Sequence, residues 1–336
     1  MTSVSNTQEP TCLIIGAGIA GLSAGRELHR QGIHVTILEK ARGVGGRMAT
    51  RRFAGGVFDH GTQYFAPASA WFQTRIDEWV RDGYSREWFR VSQYEMDPRF
   101  VSAARYCGLP AMTAIPKHLA EGLDLHTEVR VSALRQAQEQ WQAVTVEGQE
   151  YHAQACILTA PLPQSLEIIA HSDIDELPDL GDLRDVTYNP CITVLATCAQ
   201  APSLPDNGVL ELAEGVVLRI MDNHRKGISP DCHAVTIHAS ADFSREHFDS
   251  DPAVSGALLL EAALPLLGVP VREWQAHRWR FSTVPNPVDA PYFSVREAPP
   301  LILAGDAFGN NGVEGAARSG LRAAQHVRDC FARLSR

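Results

Sequence analysis

Gly16-Ala-Gly18-Ile-Ala-Gly21 follows the short apolar run Cys12-Leu-Ile-Ile15 and precedes a segment with helical spacing that stops near Gly32. A second apolar run, His34-Val-Thr-Ile-Leu38, leads directly to Glu39. The order of strand, glycine-rich turn, helix and strand predicts one βαβ unit, which needs ~30 residues. The turn has the form G-x-G-x-x-G, and each glycine in that form has a physical task.

The three glycines and the acid at the end of the second strand predict a dinucleotide site. Gly16 makes a tight turn, Gly18 lets the backbone approach a pyrophosphate, and Gly21 lets the helix pack closely on the strand. The first N–H groups of the helix, around Ala20, offer donors and a positive dipole end to the phosphates. Glu39 can accept hydrogen bonds from ribose hydroxyls. The competing interpretation is a glycine-rich turn without a ligand.

The residues after Glu39 favour FAD over NAD, which the βαβ unit alone does not distinguish. The stretch Glu39-Lys-Ala-Arg-Gly-Val-Gly-Gly-Arg47 places two arginines and a glycine pair directly after the acid. Arg42 and Arg47 can neutralise a diphosphate, and Gly45 and Gly46 permit close backbone contact. A solvated basic loop is the alternative.

A second element of the same prediction lies near the C-terminal end of the sequence. Leu301-Ile-Leu-Ala304 predicts a buried strand that ends in Gly305-Asp306, and Asp306 can bind a polyol hydroxyl of an extended cofactor. Gly312-Val-Glu-Gly-Ala-Ala317 then opens a helix rich in small residues. Small side chains let such a helix lie close to a planar ring, and its N-terminus stabilises negative charge there. A terminal helix docked on a core is a further interpretation, compatible with the first.

Hydrophobic periodicity predicts the remaining elements, with boundaries uncertain by several residues. Alternation predicts a hairpin within 53–66 and strands within 85–106. The predicted helices are 70–81, 112–121, 253–267 and 313–333. The other predicted strands are 125–131, 141–146, 156–159, 216–220 and 234–238.

Composition limits the partners and the compartment. The 336-residue chain has a net charge of −9 and no block of Lys or Arg, which argues against nucleic acid or a membrane as partner. Its seven cysteines form no CxxC pair, so we expect a reducing, cytoplasmic location without disulfides. The polar first ten residues do not resemble a signal peptide, and no apolar run reaches the ~20 residues of a membrane span. His224, His233 and His238 lack metal-ligand spacing, and we expect no metal.

Three motifs together carry a resemblance to a known family. GAGIAGL, EKARGVGGR and AGDAF followed by VEGA resemble the flavin amine-oxidase superfamily. Across nearly the whole chain the sequence is similar to the renalase branch. The stretches that point to that branch are Phe58-Asp-His-Gly-Thr-Gln-Tyr-Phe65, His277-Arg-Trp-Arg-Phe281, Gly305-Asp-Ala-Phe-Gly309 and Val313-Glu-Gly315.

The resemblance implies an α/β fold with two domains. The first is a discontinuous, Rossmann-like FAD-binding domain of the p-hydroxybenzoate hydroxylase type, over 8–70, 107–165 and 276–336. The second is a substrate domain with a mixed sheet and α+β character, over 71–106 and 166–275. FAD is expected to be bound non-covalently, because no cysteine lies in the terminal flavin-proximal motif. Val129 is expected to contact the adenine through its backbone, and Gln63 is a further cofactor contact.

The resemblance also implies a reaction. Renalase-like enzymes oxidise the 2- or 6-dihydro isomers of NAD(P)H: hydride passes to the flavin, and O2 reoxidises the flavin with release of H2O2. Hydride transfer requires a donor carbon stacked near flavin N5 and exclusion of water. A small reduced nicotinamide dinucleotide is therefore the expected substrate, and O2 the expected electron acceptor.

Other functions on the same scaffold remain open. One is an amine oxidase or a desaturase of another small molecule, although Gly309 follows Phe308 and the motif shows no aromatic pair to enclose an amine. Another is a flavin-binding protein without turnover. The sequence Gly309-Asn-Asn-Gly312 departs from renalase-like proteins, which are bulkier there. Lys226 stands in a predicted loop, so its assignment as a flavin-proximal lysine is doubtful.

The candidate site residues fall into two groups, and no catalytic side chain is assigned because the chemistry centres on the flavin. The cofactor candidates are Gly16, Gly18, Ala20, Gly21, Glu39, Lys40, Arg42, Gly45, Gly46, Arg47, Gln63, Val129, Gly305, Asp306, Gly312, Val313 and Glu314. The substrate-pocket candidates are Tyr64, Phe65, His277, Trp279, Phe308, Asn310 and Asn311. For the aromatic residues and the histidine, a packed core position is the alternative. Asp59 and His60 look like an acid–base pair, but neighbours on a strand face opposite ways.

Overall fold

A computed structural model describes residues 9–91, 103–309 and 312–334. The chain forms two compact units, each built from separate stretches of sequence. Unit 1 takes its described residues from Met1–Gly46, Leu119–Val186 and Asn286–Arg336. Unit 2 takes them from Arg47–His118 and Thr187–Pro285.

The strands and helices of both units are numbered along the chain. The strands are β1 (Thr11–Ile15), β2 (His34–Glu39), β3 (Thr50–Phe53), β4 (Gly56–Asp59), β5 (Ser85–Val91), β6 (Ala103–Gly108), β7 (Asp124–Thr127), β8 (Val131–Ala137), β9 (Gln140–Thr145), β10 (Glu150–Ala153), β11 (Ala155–Leu158), β12 (Asn189–Cys198), β13 (Val209–Glu211), β14 (Val217–Asp222), β15 (Ala234–Ala239), β16 (Val271–Thr283), β17 (Phe293–Glu297) and β18 (Pro300–Leu303). The helices are α1 (Ile19–Arg30), α2 (Ala70–Arg81), α3 (Ala114–Ala120), α4 (Leu162–Ala170), α5 (Gly181–Arg184), α6 (Ala241–His247), α7 (Pro252–Leu267) and α8 (Gly312–Leu334), with a 3-10 turn at Gly46–Met48.

Unit 1 is built on a six-stranded sheet in the order β17-β18-β11-β1-β2-β7. All neighbours pair in parallel except β17 and β18. Parallel strands covered on both faces are apolar throughout, and β11 and β18 are buried along their whole length. A three-stranded antiparallel sheet, β10-β9-β8, precedes β11. This is the Rossmann-like arrangement that the βαβ motif predicts.

The core of unit 1 lies between its sheet and two helices. Ile14 and Ile37 of the sheet pack with Leu22 and Leu28 of α1 and with Val327 of α8 in one buried cluster. Leu22 and Leu28 are fully buried in α1, while Arg30 and Gln31 at the end of the helix are exposed. The helical spacing of the sequence predicts a helix from Ile19 to Arg30, and α1 has these bounds.

Unit 2 is built on a five-stranded sheet in the order β13-β14-β15-β12-β16. Every neighbouring pair in it is antiparallel. The expected mixed sheet is therefore wrong for these strands, because the loops and helices between them return the chain in the opposite direction. Helix α7 covers one face with Leu259 and Ala263. The register of β16 against β12 pairs His277 with Thr193 and Trp279 with Cys191. His277 and Trp279 are two residues apart, so they lie on one face of the sheet.

Two hairpins complete unit 2. The first, β3–β4, turns at Ala54-Gly55 and lies a few residues earlier than the predicted hairpin within 53–66. The second pairs β5 with β6, so the alternation within 85–106 does mark strands at its two ends. Residues 92–102 lie outside the described residues.

The two units divide the chain at points that differ from the expected domain bounds. Residues 47–70, 107–118 and 276–285 were expected in the FAD-binding domain and lie in unit 2, whereas 166–186 lie in unit 1. Packing explains the first shift, because Phe58 of β4 is buried against Leu195 and Ala234 of the unit 2 sheet. Within the described residues, no helix has both the length and the apolar character needed to cross a membrane.

Candidate functional site

The glycine-rich turn of unit 1 has the geometry that its motif predicts. Gly16 has a positive φ of 110°. A Cβ on Gly21 would lie 2.0 Å from the Gly16 carbonyl oxygen and 2.8 Å from Thr159 Oγ1, so only glycine lets α1 start this close to β1 and β11. A Cβ on Gly18 would meet nothing within 4 Å. No packing inside the unit therefore demands glycine at this position, and open space lies beside the backbone where a pyrophosphate is expected.

Glu39 is buried at the end of β2 beside this turn. One carboxylate oxygen, Oε2, accepts a hydrogen bond of 2.8 Å from Ala17 N–H, and Oε1 accepts one of 2.8 Å from Ala41 N–H. Each oxygen keeps a further lone pair for a ribose hydroxyl. The Glu39 carbonyl accepts from Val129 N–H at 2.9 Å, so a backbone contact from Val129 to a base would use its carbonyl.

The basic stretch after Glu39 serves more than one purpose. Lys40 Nζ donates to Gln164 Oε1 at 2.9 Å, and burial lowers the pKa of Lys40 although Glu39 nearby raises it. Gly45 N–H donates to the Ala17 carbonyl at 2.8 Å, which fastens this loop to the glycine-rich turn. Arg42 is exposed and available to an anion.

Arg47 opens unit 2, and the structure gives its guanidinium partners within that unit. Nη1 lies 3.2 Å from the Phe281 carbonyl and 3.3 Å from the Ser282 carbonyl. These two carbonyls therefore take up part of the hydrogen-bonding capacity that Arg47 was expected to offer to a diphosphate. The guanidinium has five N–H donors in all.

The C-terminal motif of unit 1 is anchored by its backbone. Gly305 N–H donates to Ser319 Oγ at 2.9 Å, which joins the end of β18 to α8. Asp306 and Glu314 are buried at this junction, Val313 is half-buried, and Gly312 has a φ of 91°. The candidates Asn310 and Asn311 lie outside the described residues.

Part of the small-residue face of α8 packs on protein rather than on a ring. A Cβ on Gly320 would lie 1.9 Å from the Ala20 carbonyl of α1, so glycine here permits a close crossing of two helices. Phe308 is buried with 2% of its surface exposed and belongs to the core of unit 1 rather than to an open pocket. The interpretation of α8 as a helix docked on a core is thus confirmed at Gly320.

These unit 1 residues fit the adenosine diphosphate part of FAD. The turn at Gly18 is open, α1 presents its first N–H groups without a side-chain cap, and the Glu39 carboxylate is fixed beside them. Unit 2 has a buried acceptor of its own: Gln63 Nε2 donates to the Asp59 and Gly61 carbonyls, and Gln63 Oε1 is buried without a partner among the described residues. A buried acceptor without a donor is costly, and a ligand donor would remove that cost.

Asp59 is the centre of a buried polar network in unit 2. Its Oδ2 accepts from Lys226 Nζ at 2.6 Å, and both side chains are completely buried. Its Oδ1 accepts from Thr50 Oγ1 at 2.6 Å and from Met112 N–H at 3.0 Å. The Lys226 ammonium lies 4.9 Å from the centre of the Trp88 ring. Lys226 is thus a structural ion-pair partner within unit 2, which agrees with the doubt about its role as a flavin-proximal lysine.

His60 faces a different set of partners from Asp59, as strand neighbours are expected to do. Its Nδ1 lies 2.8 Å from the Ala49 carbonyl. Its own carbonyl accepts from Trp279 Nε1 at 3.0 Å and lies 3.2 Å from His238 Nε2. Its ring lies 4.9 Å from the rings of both His277 and Trp279. We call His60, His238, His277 and Trp279 the imidazole–indole cluster.

The imidazoles of this cluster are neutral at ordinary pH. Burial lowers the pKa of His60 and of His238 to about 3, and the nearby charges of His277 and Arg219, respectively, add to the effect. Burial and Arg51 lower the pKa of His277 to about 4. The ring nitrogens of His277 have no hydrogen-bond partner among the described residues, and His277 and Trp279 are only half-buried. The cluster therefore offers an uncharged aromatic surface with one free imidazole.

The two aromatic residues after Gln63 separate in the structure. Tyr64 is half-buried, and its hydroxyl donates to Glu211 Oε1 at 2.7 Å; burial, then this bond, raises its pKa. Phe65 is buried with its ring against Phe72, Trp79 and Tyr106. Phe65 is therefore a core residue of unit 2, which corrects its assignment to the substrate pocket.

Sequence reasoning missed several residues that shape these sites. Thr159, at the end of β11, fills the space that Gly16 and Gly21 leave, and its hydroxyl bonds the Ile15 and Gly16 carbonyls at 3.0 Å. His238 was considered only as a metal ligand, and Asp59 was not paired with Lys226. Thr159 had a usable signal, because it is the last residue of the predicted buried strand at 156–159 and parallel strands end at the same edge of a sheet. The pair of Asp59 and Lys226 had none, because its members are 167 positions apart. The rings of His224 and His233 meet edge to face with their centres 4.8 Å apart, and among the residues that the structure describes none of the three histidines belongs to a group that could hold a metal ion.

Comparisons with known proteins agree with this geometry. A family model for an NAD(P)-binding Rossmann-like domain matches residues 14–79. Polyamine oxidase 7 of Oryza sativa subsp. japonica is 51% identical over 53 residues, and phytoene desaturase of Cercospora nicotianae is 42% identical over 57 residues. These matches cover 16% and 17% of this chain and only 11% and 9% of those relatives.

Solved structures share the fold over almost the whole chain. A candidate protoporphyrinogen oxidase from Exiguobacterium sp. 255-15 superposes with a TM-score of 0.71 at 13% identity, covering 95% of this chain and 99% of that one. A putrescine oxidase bound to putrescine superposes with a TM-score of 0.65 at 16% identity, covering 96% and 99%. Identities this low establish the fold alone.

A second family model spans most of the sequence. The model for flavin containing amine oxidoreductase matches residues 76–328. Members of this family contain flavin, which confirms the predicted cofactor, FAD. They are oxidoreductases, which confirms the predicted kind of enzyme. The chain therefore belongs to the flavin-containing amine oxidoreductase family.

Proposed function

We propose that this protein is an FAD-dependent oxidase of 2- or 6-dihydro isomers of NAD(P)H. The observation that carries the proposal is the imidazole–indole cluster of unit 2. It presents His277 and Trp279 on one face of β16, and its imidazoles are uncharged above about pH 4 to 5. A dihydronicotinamide is a planar, neutral ring with a carboxamide, which suits stacking on an indole and a hydrogen bond to a neutral imidazole.

The compensated charge of Asp59 also favours a neutral donor beside His60. Asp59 is the carboxylate beside His60 in sequence, but Lys226, Thr50 and Met112 already take both of its oxygens. An ammonium substrate would gain no free carboxylate there. The arrangement therefore supports an uncharged ring better than a primary amine.

The demands on the chain's own residues are limited in this proposal. Bound FAD supplies the hydride acceptor, and O2 then removes the electrons with release of H2O2. The protein must hold the donor ring in one pose and exclude water, because a ~1 Å displacement of the donor carbon costs ~10²-fold in rate. No general base is needed, since the nicotinamide product is already a cation.

Rapid anaerobic mixing tests the proposal through the visible absorbance of the flavin. The 2- and 6-dihydro isomers should bleach it quickly, whereas β-NADH and putrescine should bleach it slowly or not at all. His277→Asn and Trp279→Phe should each slow bleaching by the isomers ~10- to 100-fold. Arg280→Ala is the matched control, because Arg280 lies on the opposite face of β16 and is exposed. An unchanged rate in both cluster variants would remove the support for the proposal.

A second candidate is an amine oxidase or desaturase of another small molecule. The family model and the names of the matched relatives, polyamine oxidase 7 and phytoene desaturase, favour it. In the same experiment, fast bleaching by a primary or secondary amine with no response to either isomer would establish this candidate instead. Bound FAD that no donor reduces would indicate a flavin-binding protein without turnover.

A further inference from the structure

Three side chains of different chemistry meet where β17 and α8 lie side by side in unit 1. Glu297 is the last residue of β17, and His326 and Cys330 stand four residues apart on α8, so they share one face of that helix. Glu297 Oε1 lies 2.9 Å from His326 Nε2, and Oε2 lies 3.5 Å from Cys330 Sγ. The sulfur and the imidazole nitrogen are 3.7 Å apart.

These separations are those of ligands around a tetrahedral metal ion. With metal distances of ~2.3 Å to sulfur, ~2.05 Å to nitrogen and ~2.0 Å to oxygen, tetrahedral angles place sulfur ~3.5 Å from the other two atoms, and nitrogen ~3.3 Å from oxygen. The observed sulfur–nitrogen distance is 3.7 Å, and the Glu297 carboxylate places Oε2 3.5 Å from sulfur and its other oxygen, Oε1, 2.9 Å from nitrogen. Each value lies within a few tenths of an ångström of the tetrahedral one, and a turn of the carboxylate would direct one oxygen to the ion. The three side chains would need only a small adjustment to bind an ion.

Neighbouring residues hold two of the three ligands in place. Ser294 Oγ donates to Glu297 Oε1 at 2.7 Å, and the Tyr292 ring packs on the His326 ring with centres 5.0 Å apart. Cys330 is buried, so its position is set by the packing of α8. Contacts that orient ligating side chains in this way are typical of metal sites.

A cation already lies on the open side of the three ligands. Arg333 Nη2 is 2.8 Å from Glu297 Oε2 and 3.1 Å from Cys330 Sγ. The Arg333 side chain is 62% exposed, so it can turn into solvent at little cost. The position therefore favours positive charge, and a metal ion would compete with the guanidinium for it.

We propose that Glu297, His326 and Cys330 form a binding site for a thiophilic divalent cation of the Zn²⁺ type. Sulfur and imidazole ligands select such ions over Mg²⁺ or Ca²⁺. Binding forms a metal–sulfur bond and releases the thiol proton to solvent, with no change in oxidation state. The ion joins β17 to α8, with water or a further ligand in the fourth position. This site is independent of the proposed oxidase activity, and it departs from the sequence-based expectation of no metal.

Zn²⁺ binding to the tag-free, FAD-loaded full chain tests the proposal. Equilibrium dialysis should find one tightly bound Zn²⁺ per chain and no Mg²⁺. Cys330→Ser and His326→Ala should each weaken binding at least ~10-fold, since each removes one of three ligands. Cys232→Ser is the matched control at another cysteine and should bind as the parent chain does. Arg333→Ala should bind Zn²⁺ more tightly, because it removes the competing cation from an exposed position.

X-ray absorption at the zinc edge gives a second readout that a loss of folding cannot imitate. The bound ion should show one sulfur neighbour at ~2.3 Å and nitrogen or oxygen neighbours at ~2.0–2.1 Å. Zn²⁺ affinity that does not change in Cys330→Ser or His326→Ala would place binding elsewhere and overturn the proposal. Absence of binding in both the parent chain and Arg333→Ala would overturn it as well.

Discussion

Glu39 forms hydrogen bonds with the two backbone segments on either side of the predicted ribose position. Its carboxylate accepts from Ala17 N–H on one side and from Ala41 N–H on the other. Glu39→Ala should weaken FAD binding by ~30- to 1,000-fold, or ~2–4 kcal/mol, through the loss of charge-assisted hydrogen bonds. Quenching of FAD fluorescence on titration into apoprotein measures this change.

Glu39→Gln is the matched variant for that prediction. It keeps one acceptor oxygen and should lose less affinity than Glu39→Ala. The rate of flavin reduction at saturating FAD should stay close to that of the parent chain in both variants, because the adenosine end is remote from the reacting ring. Normal FAD affinity with lost reduction would contradict the placement of Glu39.

The buried pair of Asp59 and Lys226 makes a prediction about stability. Removing one partner leaves an uncompensated charge in the core, so Lys226→Met should lower the free energy of unfolding by ~3–5 kcal/mol. Urea denaturation followed by fluorescence measures it. The double variant Asp59→Asn with Lys226→Met should be more stable than the sum of the single effects predicts.

An exposed ion pair provides the control for the buried one. Arg135 and Glu150 are 3.5 Å apart, with both side chains largely in solvent. Arg135→Met should change stability little, because water screens such pairs. Equal losses from Arg135→Met and Lys226→Met would show that burial is not the cause.

Single residues also show how far the sequence could specify the site. Gly16, Gly21 and Glu39 were predictable because a local motif determines their surroundings. Phe65 was not, since nothing in the neighbouring sequence shows that its ring packs among Phe72, Trp79 and Tyr106. The pairing of residue 59 with residue 226 depends on the tertiary fold, which local patterns do not encode.

At the level of elements, the crossing of α1 and α8 depends on one glycine. A methyl group on Gly320 would collide with the Ala20 carbonyl at 1.9 Å. Gly320→Ala should therefore force the helices apart and destabilise unit 1 toward the upper end of the ~1–3 kcal/mol typical of overpacking. Thermal unfolding measures the loss, and FAD affinity should fall with it, because Ala20 lies in the first turn of α1.

Arg328→Ala on the same helix is the control for Gly320→Ala. Arg328 is exposed and bonds only its neighbour Asp329 among the described residues. This variant should leave FAD affinity unchanged. A stable Gly320→Ala protein with normal FAD affinity would refute the role given to the close crossing.

Helices and strands whose apolar residues follow one clear periodicity were predictable from the sequence, whereas others were not. Helices α1 and α2 begin and end where the sequence predicts. Strand β16 was not predicted as a strand, and only the family motif around His277 drew attention to it. Its thirteen residues are mostly half-buried, so they show no clean alternation of apolar and polar side chains. The pair His326 and Cys330 was not recognised in the sequence. Four-residue spacing on a helix indicates metal ligands only when a third ligand is known, and here that ligand, Glu297, comes from β17.

For the molecule as a whole, the buried histidines predict acid sensitivity. The pKa values of His60 and His238 in the folded protein are about 3, below the ~6.5 of an unfolded chain. The unfolded chain takes up protons below pH ~6.5 while the folded protein does not. The contribution of these histidines to the free energy of unfolding is therefore complete above pH ~6.5. It falls on acidification by up to ~1.4 kcal/mol per pH unit for each histidine.

Thermal unfolding between pH 7 and pH 5 measures this dependence. His238→Asn should reduce the difference in melting temperature between the two pH values, because it removes one of the groups that protonate on unfolding. His152→Asn, at an exposed position, should leave the difference as in the parent chain. Stability that rises from pH 7 to pH 5 would contradict the neutral state of the cluster.

The fold class followed from the sequence, whereas the two compact units divide the chain at other points than the expected domain bounds. A Rossmann-like domain was predictable because β1, α1 and β2 lie within one short stretch, and the Rossmann-like family model over residues 14–79 confirms it. The boundaries shifted because hairpin β3–β4 buries Phe58 on the sheet of unit 2. Such a choice between two cores depends on packing, which a linear pattern does not show.

The contact of Gly320 with Ala20 has a consequence for how the protein is made. Helix α1 leaves the ribosome before unit 2, but β18 and α8, which complete the sheet and the core of unit 1, come much later in the sequence. Both stretches of unit 2 leave the ribosome before them. The nucleotide-binding turn therefore waits, without its partner helix, until both stretches of unit 2 have been translated, and FAD can enter a finished site only after α8 has emerged.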